Sequence, residues 1–210
     1  MKKNVELFNE LYKGYDYDIF SELSIKERRK KRINNKDFIY GEILHLEFTK
    51  LLYFIEREEN KKFEGDFLDL GSGSGKAVFT SALFNNRFAN SVGVEFLDDL
   101  YLESETIALK YNFLKVEQQQ ISTNVAFLHG DYLEVDLMPY NVVFSNSTCM
   151  EKSNLLRLLA NAEQMLKRNS YLIVTDQYLP LKPNSSLKLL SNIFVQMTFG
   201  LSRAIIYKML

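Results

Sequence analysis

The chain has 210 residues, 46% of them hydrophobic and 13% aromatic, with 25% charged and a formal net charge of −1. That is enough apolar side chain for one well-packed domain, and three Pro with nine Gly exclude collagen-like or low-complexity structure. The single Cys149 excludes an internal disulfide, and the opening Met-Lys-Lys-Asn-Val-Glu lacks the apolar core of a signal peptide, so an intracellular setting, cytoplasmic or nuclear, is expected.

Charge is distributed unevenly. Residues 1–36 carry ten Lys/Arg against six Asp/Glu, and residues 37–210 carry sixteen against twenty-one. The first stretch reads as a helical, basic N-terminal appendage, and 37–210 as the main domain. The run "KERRKKR", Lys26–Arg32, is a candidate contact for an acidic or polyanionic partner; the alternative is a solvated helix face.

In chain order, helical periodicity covers Val5 to Tyr12 and Glu42 to Glu58, the latter through Ile43, Leu46, Leu51, Phe54 and Ile55. The chain then alternates: strand Phe67–Leu70, helix Lys76–Phe84, strand Ser91–Glu95, helix Asp98–Glu117, strand Val125–Leu128, strand Asn141–Phe144, helix Ser153–Leu166 and strand Tyr171–Thr175. Such alternation predicts an α/β fold, a doubly wound and mostly parallel sheet with helices on both faces. The tail changes character, because "NIFVQMTFG" and "SRAIIYKML" are rich in β-branched and aromatic residues. They predict a C-terminal antiparallel hairpin joined at Gly200-Leu201-Ser202, completing seven strands. The same tail, broken by Gln196, Arg203 and Lys208, falls short of a membrane span, and no membrane partner is expected.

The most informative stretch is "FLDLGSGSGKAVF", Phe67–Phe79. A phosphate loop requires four residues between its first Gly and a Gly-Lys-Ser/Thr, which the spacing here denies. The dinucleotide fingerprint needs a different glycine spacing from the strict alternation of Gly71, Gly73 and Gly75. This pattern, Asp69, Gly71, Ser72, Gly73 and Gly75, resembles the D-x-G-x-G-x-G signature of S-adenosylmethionine enzymes. Small residues let the backbone pass beneath a ribose and a methionine tail, the following helix offers its N-terminus to the tail's carboxylate, and Asp69 can attract its ammonium group. Glu95 ends the next strand, where a carboxylate can accept from both ribose hydroxyls. In "HGDYLEVDL", Asp131 can accept from an adenine amino group and Tyr132 can stack on the ring; the alternative is a helix cap beside a core aromatic. A doubly wound sheet finished by a hairpin, with these three strand ends in order, is the arrangement of class I methyltransferases.

"FIYGEI" at Phe38–Ile43 and "VVFSNSTCM" ending at Met150 narrow the resemblance to the non-SET histone lysine methyltransferases, the family of the disruptor of telomeric silencing, over roughly Phe38 to Thr175. The resemblance implies S-adenosyl-L-methionine as cofactor and S-adenosyl-L-homocysteine as product. It implies that Tyr40, Gly41 and Glu42 lie over the methionine part and that Asn146 lies beside the transferable methyl, making Asn146 and Tyr40 the candidate catalytic residues and both also cofactor contacts. The chain departs from the family at Ser147 and Thr148, where a second Asn and a Phe would stand. A protein lysine is then the expected acceptor, within a channel for which Tyr40, Phe144 and Tyr178 are candidates. A small molecule, a nucleic-acid base, and a non-catalytic cofactor-binding module are the alternatives; Asn146 lacks the Pro-Pro-aromatic continuation of base-amino methyltransferases. Cys149 is expected to be a small buried group, and His45 and His129, without metal spacing, imply no metal.

Overall fold

A computed structural model describes residues 2–210; of the leader, Met1 lies outside them. Seven strands, β1 (Asp66–Leu70), β2 (Asn90–Glu95), β3 (Asn124–His129), β4 (Val142–Ser145), β5 (Tyr171–Thr175), β6 (Leu187–Met197) and β7 (Gly200–Met209), form one sheet in the order β3-β2-β1-β4-β5-β7-β6. β1 to β5 pair in parallel, and β7 runs antiparallel to both β5 and β6. The central strands β1, β4 and β5 are buried along nearly their whole length, because both of their faces are covered. Chain order reverses across β1, whose neighbours are β2 and β4, and this opens a crevice at the carboxyl ends of those strands.

Alternate residues feed two layers. Phe67, Val142, Phe144, Ile173 and Ile206 meet α3 (His45–Glu58) through Phe48, Leu51, Leu52 and Ile55. Leu68, Val143, Leu172, Val174 and Tyr207 meet α6 (Lys152–Met165) through Leu155, Leu158 and Ala162 on the other face. α1 (Lys2–Leu11), α2 (Tyr17–Lys31), α4 (Lys76–Ala82) and α5 (Asp98–Glu117) share a third cluster in which Phe8, Leu11, Tyr12 and Phe20 pack with Val78, Phe79, Ile107 and Tyr111. No helix among the described residues is long and apolar enough to cross a membrane.

The structure departs from the sequence expectations at four places. The helix expected from Glu42 starts at His45, because Ile43 bridges Met197 and the Leu44 N–H donates to the Gln196 carbonyl, holding 42–44 extended beside β6. The hairpin turns at Thr198–Phe199, since Met197 pairs with Gly200 and Leu201 and Ser202 lie within β7. The leader expected as an appendage contributes fully buried side chains, Leu11 and Phe20, to the third cluster. Cys149, expected inside, is exposed, because it lies in the loop after β4 between Thr148 and the buried Met150.

Candidate active site

The glycine turn leaves β1 at the crevice with Gly71, Gly73 and Gly75 all at positive φ (79°, 55° and 86°), which only glycine adopts without strain. The Gly71 and Ser72 N–H groups both donate to the Val94 carbonyl at 2.9 Å, and the Gly75 N–H donates to the Ser72 carbonyl at 2.8 Å, so the turn is stitched to β2. A Cβ at Gly73 would stand 2.6 Å from the Tyr40 ring and one at Gly75 would stand 2.5 Å from the Phe127 ring. A Cβ at Gly71 would meet nothing within 4 Å and would point into open space.

That space is an open cleft lined by Tyr40, Gly71, Gly73, Glu95, Tyr132 and Asn146, with Asp37, Phe38 and Phe96 at its rim. A smaller cavity on the far side of Tyr40 and Gly71 is lined by Asp69, Ser72, Glu42, Lys76 and Phe144. The turn thus separates a cleft with aromatic walls from a smaller polar end.

Two buried carboxylates close the neighbouring strands. Glu95 accepts the Gly73 N–H on Oε2 at 2.7 Å and the Phe96 and Leu97 N–H groups on Oε1 at 2.9 and 2.8 Å. Burial raises its pKa and these three donors pull it back. Asp69 is 3% exposed, and burial and then the nearby Glu95 push its carboxyl well above the usual range with no hydrogen bond from the described residues to offset them. Beside it the Ser72 hydroxyl is buried without a partner among the described residues. A buried carboxylate and an unpaired hydroxyl lining one cavity suit a ligand that carries a cation and further polar groups.

Glu42 proves to be a clasp for the turn. Its Oε1 accepts from the hydroxyls of Tyr40 and Ser74, and its Oε2 pairs with Lys76. Burial and the Glu42 carboxylate keep the Tyr40 phenol protonated far above its usual range. Asn146, at the end of β4, donates through Nδ2 to the Gly41 carbonyl at 2.9 Å and accepts on Oδ1 from Thr175 and Thr148 at 2.8 and 3.0 Å. Thr148 also reaches Asp176, whose φ of 60° turns its carboxylate back over the end of β4.

The structure brings Tyr40, Glu42, Asp69, Gly71, Ser72, Gly73, Glu95, Tyr132 and Asn146 around the two cavities, with Gly75 beneath them. It does not bring Asp131, which is exposed and caps the short turn Tyr132–Glu134 by accepting the Leu133 N–H at 2.8 Å. The carboxylate at that end is Asp37, which accepts the Tyr132 hydroxyl at 3.0 Å and lines the cleft. Tyr178 is 53% exposed and lines neither cavity, while Phe144 is both core and cavity wall. The helix after the turn has seven residues, and Lys76 at its first position pairs with Glu42 and lines the smaller cavity. Lys76 was visible directly after Gly75; Asp37 and the leader residues beneath the turn had no local signal. Among the latter, the Tyr12 hydroxyl donates to the Ser74 carbonyl at 2.9 Å, and Tyr17 stacks on Tyr40 at 5.8 Å.

Fold and site together define a class I methyltransferase, and the residues present fit S-adenosylmethionine, the cofactor of that class. The chain belongs to the methyltransferase-domain family, whose match covers residues 61–198. No curated protein matches it. Among solved structures, the rRNA methyltransferase aviRa from Streptomyces viridochromogenes is similar at 11% identity over 80% of this chain and 85% of its own, with a TM-score of 0.57. An S-adenosylmethionine-dependent methyltransferase from Leishmania major matches at 14% identity, 78% and 72% coverage and a TM-score of 0.55. The mitomycin 7-O-methyltransferase MmcR matches at 13% identity, 91% and 60% coverage and the same TM-score. These likenesses show a shared fold.

Proposed function

We propose that this methyltransferase transfers the methyl group of S-adenosylmethionine to the side-chain amine of a protein lysine. The observation that carries the reading is the clasp between Asn146 and Gly41, which ties the end of β4 to the Tyr40–Glu42 loop where the resemblance to the non-SET lysine methyltransferases requires both. When bound, the cofactor supplies a methyl group on a positively charged sulfur. Asp69 would hold its ammonium group, Glu95 its ribose hydroxyls and Tyr132 its adenine, with Ser72 available to the tail. Tyr40 and the clasp exclude water from the methyl, and Asn146 orients the loop against which the acceptor must align; positioning of this kind is most of what such a displacement needs. An acceptor lysine must arrive neutral, because the lone pair of its nitrogen forms the new bond to carbon. Exposed Arg29, Lys30 and Arg32 supply a face for an acidic partner, in a cytoplasmic or nuclear setting.

A nucleic-acid acceptor is the second reading. It is favoured by Lys31 of the same basic run, 5.9 Å from the Phe96 ring, and by a rim pair of aromatics, Phe38 and Phe96, whose centroids are 4.9 Å apart with Phe96 38% exposed. Incubation of the protein with radiolabelled S-adenosylmethionine and fractionated cell extract separates the two. Label in protein that survives acid hydrolysis as methyl-lysine is the expected outcome, and label confined to RNA or to small molecules would reject it. Asn146→Ala should lower transfer by on the order of a hundredfold while cofactor affinity stays within about five-fold, the worth of one neutral hydrogen bond.

A further inference from the structure

The family match begins at residue 61, yet the segment that follows Glu95 is held from the leader. Four consecutive backbone N–H groups come after Glu95. Those of Phe96 and Leu97 go to Glu95 itself, and those of Asp98 and Asp99 go to the two oxygens of Glu27 on α2, at 2.8 Å each. α5 has an apolar N-cap, Leu97, with no capping side chain of its own, so these donors would otherwise be orphans. Glu27 is 3% exposed, the lone acid in a run of six cations, and Lys31 one turn later binds both Glu27 at 2.6 Å and Asp98 at 2.9 Å. The first turn of α5 therefore hangs between two buried carboxylates, one facing the cleft and one belonging to the leader.

We propose that Glu27 is a positioning residue for the cofactor: through the first turn of α5 it sets the place and the charge of Glu95, so that the leader completes a site built otherwise in the methyltransferase body. The proposal rests on the reading of the cleft as an S-adenosylmethionine site. The charged and titratable groups around Glu95 are Asp69 on β1, Glu27 and Lys31 on α2, Asp98 on α5, and His129 at the end of β3, whose Nε2 lies 3.0 Å from Asp98. After burial and its three backbone donors, Glu27 is the neighbour that bears on Glu95, making the ionised form harder to reach.

Calorimetric titration of S-adenosylhomocysteine into the full chain between about pH 5 and pH 8 tests this, because a carboxylate accepting from ribose hydroxyls must be ionised; Asp69, which burial and Glu95 act on, contributes the same limb to parent and variants, so a displacement between them reports Glu95. Glu27→Gln should bind about ten-fold more weakly at neutral pH, as for a lost cap, and the acid limb of its affinity profile should move to lower pH because a neighbouring negative charge has gone. Lys31→Met, which keeps the Glu27 carboxylate, should move the same limb to higher pH. A role confined to stability would lower the Tm and leave both limbs in place. Affinity of Glu27→Gln within about two-fold of the parent, with an unmoved limb, overturns the proposal. If that variant does not fold, an unmoved limb in Lys31→Met overturns it alone. Failure of the parent protein to bind S-adenosylhomocysteine would reject the cofactor reading and this proposal together, whereas tight parental binding with unmoved variants rejects only the proposal.

Discussion

Asp69, next to the end of β1, and Glu95, at the end of β2, are both buried carboxylates, yet the chain treats them in opposite ways. Glu95 receives three backbone donors, and Asp69 receives none from the described residues. Its folded pKa is raised above the unfolded value, so Asp69 favours the folded state at acid pH and that contribution is lost as pH rises through the raised value. A cofactor ammonium reverses the balance by stabilising the ionised form. Binding should therefore release protons in the window between about 3.9 and the raised value, with affinity increasing as pH rises through it. Asp69→Asn should raise the thermal midpoint of the free protein at neutral pH, weaken binding by about 1.5–3 kcal/mol and flatten the pH dependence. Calorimetry in buffers of different ionisation enthalpy measures both quantities; an Asn variant with parental affinity would remove Asp69 from the site. The places of Asp69 and Glu95 could be read in the sequence, because one lies next to the last residue of β1 before the glycine turn and the other ends β2. Asp131 could not be told from a cap by spacing alone, and its carboxylate caps.

At the scale of elements, three glycines two residues apart do different work. Gly71 opens onto the cleft, whereas Gly75 is at φ 86° with its missing Cβ facing Phe127 at 2.5 Å and Phe79 at 3.0 Å, both buried rings. Gly75→Ala should cost about 2–4 kcal/mol, from left-handed backbone plus overpacking that neither ring can relieve. Gly71→Ala, with backbone strain alone, should cost about 1–2 kcal/mol while blocking cofactor entry with its methyl group. Urea denaturation and titration with S-adenosylhomocysteine separate the two; equal stability losses would sink the distinction. The loop at Tyr40–Leu44 is the complementary case. From Glu42 on its residues carry helical spacing, but pairing with Gln196, Met197 and Thr198 overrides that tendency and lays Glu42 on Lys76. Local periodicity cannot register a strand more than 150 positions away.

At the scale of the whole molecule, the leader decides more than its composition suggests. Phe8, Leu11, Tyr12 and Phe20 are nearly or fully buried against α4 and α5. At about 1.5–3 kcal/mol for each large apolar side chain, this contact rivals the entire net stability of a typical domain, about 5–15 kcal/mol. A chain beginning at residue 37 should therefore lose cooperative thermal unfolding and its affinity for S-adenosylhomocysteine, measured by scanning calorimetry and titration. A truncated protein with parental Tm and affinity would show that residues 1–36 are the appendage their charge implies.

By itself the sequence determined the α/β alternation, the closing hairpin and the glycine turn with Asp69 and Glu95, because each is encoded within one element or at its end: apolar runs of strand length, positive-φ positions filled by glycine, acids at strand ends. Only the tertiary structure decided that Glu42 clasps Ser74 and Lys76, that Asn146 ties the loop to β4, that Asp37 and not Asp131 faces the cleft, and that a leader glutamate caps α5. Apart from the Tyr40–Glu42 hydrogen bond, these contacts join residues more than thirty positions apart. A carboxylate carries no local mark of which distant donor will meet it, since that is settled by how the layers pack and not by the spacing of its neighbours.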